Sequence, residues 1–65
     1  MTQRYQVKPR EDGHGPCRWS HVLKRRGGFR QGSIYRQRGD ELTAEEVRAL
    51  RALCDEQGFD MRRAA

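Results

Sequence analysis

The run Leu42-Thr43-Ala44-Glu45-Glu46-Val47 constrains this 65-residue chain more than any other stretch. Thr43 and Glu46 have the T-x-x-E spacing of a capping box: the hydroxyl accepts from the Glu46 amide, and the carboxylate accepts from the Thr43 amide. Leu42 before the cap and Val47 in the first turns form a hydrophobic staple. Glu45 and Glu46 put negative charge where the helix dipole favours it. Val47, Leu50, Leu53 and Cys54 then fall in a stripe about 120° wide at roughly 100° per residue. Gly58 suits a left-handed stop, with Phe59 folding back on Leu53 or Cys54. Start, stop and face agree on a helix over Thr43–Gln57.

A helix with one apolar stripe has to bury it against another layer. Upstream the period changes toward that of strands. Arg4-Tyr5-Gln6-Val7-Lys8 alternates, and Pro9 disfavours a central strand position beyond it. Trp19 to Lys24 and Phe29 to Gln37 read as a hairpin turned at Arg26-Gly27-Gly28, with Gly32 marking a bulge. Residues 11–16 read as a loop and Arg38-Gly39-Asp40 as the connection from sheet to helix. The expected fold is α+β: a small three-stranded antiparallel sheet packed by one C-terminal helix. The domain is expected over residues 1–60, with 61–65 a disordered tail.

Core material is short. The candidates are Tyr5, Val7, Trp19, Val22, Leu23, Phe29, Ile34, Tyr35, Leu42, Val47, Leu50, Leu53 and Phe59. One sheet and one helix use nearly all of them, which leaves the second sheet face uncovered and no residues to wall a deep substrate cavity. No Ser-His-Asp or Cys-His set stands out, and the carboxylates gather on the helix. The expectation is therefore a binding protein and not an enzyme.

The charge is unevenly placed. Residues 1–38 hold ten basic and two acidic side chains, whereas 39–65 hold four basic and seven acidic. Coding bias accounts for an excess of arginine over lysine but not for this position. Arg18, Lys24, Arg25, Arg26, Arg30, Arg36 and Arg38 have no acid among them and are interleaved with Trp19, Phe29 and Tyr35. Crowded like charges on a hairpin oppose folding, so the cluster is the candidate partner- or nucleic-acid-binding site. Of the aromatics, the core reading is preferred over base stacking, since so small a core needs them. The acidic helix surface reads as solvated.

His14, Cys17, His21 and Cys54 are ligand types that zinc accepts. Their spacing contains no Cys-x-x-Cys pair, and Cys54 already has a place on the apolar stripe. No cofactor is expected, with zinc on those four residues as the lesser alternative. No apolar run reaches membrane-spanning length and the opening lacks a signal-peptide core, so a cytoplasmic monomer with reduced cysteines is expected.

Three stretches carry a resemblance: Tyr5-Gln-Val-Lys-Pro, the arginine-rich hairpin, and Leu42-Thr-Ala-Glu-Glu-Val-Arg-Ala-Leu. With the chain's size and charge, they resemble the small bacteriophage-encoded proteins that bind host RNA polymerase. The resemblance implies a regulator in the host cytoplasm that inhibits initiation or promotes antitermination, with an acidic polymerase surface as partner. The alternative is a direct DNA- or RNA-binding module, architectural or excisionase-like, that uses the basic hairpin.

Overall fold

A computed structural model describes residues 2–10, 18–32 and 38–64. The elements run β1 (Tyr5–Pro9), β2 (Ser20–Arg25), β3 (Gly28–Gly32), α1 (Ala44–Gln57) and β4 (Phe59–Arg63). The fold is α+β, as expected, but the antiparallel sheet has four strands in the order β3-β2-β1-β4. The fourth strand corrects the reading of residues 61–65 as a tail. Met61, Arg62 and Arg63 pair with Val7, Gln6 and Tyr5, and the Ala64 amide donates to the Arg4 carbonyl at 2.8 Å.

The helix forms as its local sequence dictates. The Thr43 hydroxyl accepts from the Glu46 amide at 3.3 Å and the Glu46 carboxylate accepts from the Thr43 amide at 3.0 Å. Gly58 closes the helix at φ 76°, in the left-handed region, and its amide donates to the Cys54 carbonyl. A side chain there would meet the strain that makes glycine the usual stop. The chain then enters β4 directly, so the helix end fixes where the fourth strand begins.

The hairpin turns at Arg26-Gly27, one residue tighter than expected, and Gly28 already pairs with Arg25. Pairing runs without a break from Arg25↔Gly28 to His21↔Gly32, so Gly32 ends a regular ladder and the expected bulge is absent. The portion of the expected strand at 33–37 lies outside the described residues.

β1 is a central strand despite Pro9. Arg10 donates to the Gly58 carbonyl at 2.9 Å and Arg4 accepts from Ala64, which directs the even-numbered backbone groups of β1 toward β4. The nitrogen of Pro9 is thereby turned toward β2, where pairing already stops at Val7↔Ser20. The missing donor breaks no ladder there.

Beyond Gln6 and His21 the ends of β1 and β2 are bridged by the segment that leads to the helix. Leu42 exchanges two backbone hydrogen bonds with Gln3 (2.6 and 3.1 Å), and the Asp40 amide donates to the Val22 carbonyl at 3.0 Å. The Asp40 carboxylate accepts from the Lys24 amide at 2.6 Å. Asp40 and Leu42 thus satisfy backbone groups that a three-stranded reading would leave open. Leu42 is 0% exposed and joins Val7, Val22, Leu50 and Cys54 in the core, against which Tyr5, Phe29, Val47, Phe59 and Met61 pack.

Candidate functional site

Side chains alternate across a strand, so the register sorts the sheet into two faces. Val7, Val22, Phe29, Phe59 and Met61 point toward α1. The residues between them, Gln6, Lys8, His21, Leu23, Arg25, Arg30, Asp60 and Arg62, point the other way, where no described helix or strand packs. Trp19, just before β2, belongs to this second face. The Arg62 guanidinium lies 4.2 Å from the centre of its ring and the Lys8 ammonium 5.3 Å from it. Arg62 Nε also donates to Gln6 Oε1 at 2.9 Å across the β1–β4 pair. A half-buried indole with two cations over it is the most specific chemical arrangement among the described residues.

This corrects the reading of Trp19 as core. Phe29 does pack on the core, from the helix side; Tyr35 and Ile34 lie outside the described residues. Leu23 is 8% exposed but sits on the face turned away from α1, apart from the main cluster.

The described cations of the basic hairpin do not all lie on one face of the sheet. Arg25 and Arg30 are exposed on the uncovered face, Arg26 is exposed in the turn, and Arg18 and Arg38 are exposed in the flanking connections. Lys24 faces the helix, and its ammonium lies 3.5 Å from the Glu46 carboxylate. The same Glu46 accepts from the Thr43 amide, and that hydrogen bond, with Lys24 adding to it, holds its pKa below the ordinary carboxylate value. Lys24 is therefore part of the scaffold. Arg36 lies outside the described residues. Arg25 is six residues from Trp19, roughly 20 Å along an extended strand, so the hairpin tip and the indole mark opposite ends of the face.

Between those ends the return segment crosses the sheet. A Cβ at Gly39 would come within 3.1 Å of His21 Nδ1 and 3.2 Å of its Cβ. A side chain at position 39 would push the ring or lift the segment that carries Asp40 and Leu42. His21 Nδ1 is buried there without a hydrogen-bond partner among the described residues.

The four-residue zinc set is not assembled. Cys54 is buried in the core on the helix side, whereas His21 is on the other face, and the sheet stands between them. His14 and Cys17 lie outside the described residues. Cys54 carries a free thiol, and burial, followed by the nearby Asp55 charge, pushes its pKa up. The apolar cleft beside it, lined by Val22, Phe29, Leu50, Leu53 and Phe59 among others, encloses about 80 Å3. Small-molecule sites usually span roughly 300–1,000 Å3.

Linear reasoning missed Lys8 and Arg62 as site residues. A signal for Arg62 was present: Phe59-Asp60-Met61-Arg62 alternates apolar and polar, the pattern of a half-buried strand. The chain matches no protein-family model, no curated protein and no solved structure. Among the described residues no helix is long and apolar enough to cross a membrane.

Proposed function

We propose that this chain is a non-enzymatic module that binds nucleic acid through the sheet face turned away from α1. The supporting observation is the Trp19 indole with Arg62 and Lys8 over it, on a face that also carries Arg25 and Arg30. Among the described residues none of these four basic side chains pairs with a carboxylate, whereas Arg4, Arg10 and Lys24 do. Cations unpaired among the described residues suit a phosphate backbone, and a neighbouring aromatic suits a base. Fluorescence anisotropy of a labelled oligonucleotide, read across a range of salt, tests the proposal. Binding that weakens steeply as salt rises is expected; no binding even at low salt would sink it.

A second reading makes the protein a regulator at the host transcription machinery, which inhibits initiation or promotes antitermination by binding RNA polymerase. It draws on the resemblance described above. It also draws on the solvent side of α1, where Glu45, Arg48, Arg51, Asp55 and Glu56 are exposed on the side of the molecule opposite Trp19. That surface is available to a protein partner while the sheet holds nucleic acid. Capture of polymerase subunits from host lysate after nuclease treatment is expected on this reading, and their absence would remove it.

A further inference from the structure

We infer that the ligand of this face is an unpaired nucleic-acid strand, with one base stacked on Trp19 and with Arg62 and Lys8 taking the flanking phosphates. The inference rests on the nucleic-acid reading above and narrows it to single strands. Three features carry it.

The first is the kind of surface the indole presents. Trp19 precedes β2 and lies, half-buried, on the sheet face turned away from α1, where its ring is what it can offer a ligand. In a duplex the base faces are covered by their neighbours and only edges are open in the grooves. An unpaired base exposes its π-face, which an aromatic ring matches whatever the sequence. The second feature is that the two cations already lie over this ring at 4.2 and 5.3 Å. A guanidinium on an indole marks a place where a planar group fits. Arg62 is exposed, and among the described residues its side chain hydrogen-bonds Gln6 alone, so the guanidinium can move from the ring to a phosphate. The third is the boundary of the site. Gly39 rests on His21, next to Gln6 in the β1–β2 register. The return segment thus bounds the Trp19 cluster on the side of His21, where Gly39 is buried.

The chain's one tryptophan makes the test direct. Its emission is followed while intact protein is titrated with oligo(dT) or oligo(U) of about 12 nucleotides, with a duplex of equal length, and with an abasic oligomer of equal charge. Single strands are expected to quench the emission and to bind about tenfold or more tighter than the abasic strand, since stacking contributes on that scale. Comparison of oligo(dT) with oligo(U) shows whether the sugar is read as well. Trp19→Ala is expected to lose about the same factor without changing the salt slope, and Trp19→Phe to recover most of it. Arg62→Gln and Lys8→Gln are each expected to lower the salt slope by about 1. Far-UV circular dichroism checks that each variant keeps its helix, and the abasic comparison needs no variant at all. Equal affinity for abasic and intact strands would overturn the stacked base while leaving nucleic-acid binding in place, and so would preference for the duplex. Absence of binding to every oligomer would overturn both.

Discussion

The two faces of this sheet come from the same strands and differ by a shift of one residue. The face under α1 gathers Val7, Val22, Phe29, Phe59 and Met61 around Leu42, Leu50 and Cys54. The other gathers Gln6, Lys8, Trp19, His21, Arg30 and Arg62, with cations over an aromatic ring where the first face has aliphatic contact. The difference cuts across the division of the chain into a basic first part and an acidic second part. Lys24, from the basic part, pairs with Glu46 on the helix side. Arg62, from the acidic part, joins the cationic face. Charge in this molecule is sorted by strand alternation and only loosely by position along the chain.

Damage to the two faces should abolish different properties. Leu42→Ala removes a side chain that is 0% exposed and that spans both layers. It should cost about 3 kcal/mol, enough to unfold much of a domain this small, as read by urea denaturation. Trp19→Ala should lower stability much less while lowering single-strand affinity. Equal destabilisation by the two substitutions would mean that the second face is also core.

Next in size is a charge comparison. Arg25→Gln combined with Arg30→Gln should lower the slope of log affinity against log salt by about 2, whereas Lys24→Gln should leave it nearly unchanged. The same slope loss from Lys24→Gln would show that the hairpin tip binds as one basic unit. A smaller effect separates local from tertiary stabilisation. Thr43→Ala removes the cap hydroxyl and should cost about 1 kcal/mol, measured by the shift in denaturation midpoint.

The smallest effect is in acid. Glu46 has a folded pKa below its unfolded value, chiefly because it accepts from the Thr43 amide and then because of Lys24. Such a carboxylate stabilises the fold above its unfolded pKa, and the contribution is lost as pH falls through the folded pKa. Glu46→Gln should therefore make the acid limb of the stability–pH curve shallower and leave the neutral region less stable. An unchanged acid limb would show that the Thr43 and Lys24 contacts do not persist in solution.

Legibility followed the range of the interactions. The helix, both caps and the staple rest on contacts within five residues, and all were readable. The hairpin was readable in outline, because Gly27-Gly28 marks a turn, but its register and the absence of a bulge were not. β4 was passed over since charged Arg62 and Arg63 and a chain end resemble a frayed tail, although Phe59 and Met61 kept strand spacing. Trp19 reads as core from the sequence because so small a core needs its aromatics. Nothing local shows that Lys8 and Arg62 come to lie over its ring.

The capped helix, its apolar face, the need for a sheet to cover that face and the excess of arginine are all written in the order of residues. Each follows from local hydrogen bonding, periodicity or composition. Only the tertiary structure decided that the segment around Asp40 and Leu42 would bridge β1 and β2, that β4 would pair with β1, and that Trp19 and Arg62 would meet 43 residues apart. Those contacts depend on which strand ends find each other once the helix has folded over one face. That choice is set by the pairing of distant backbone groups, a quantity that no window along the chain contains.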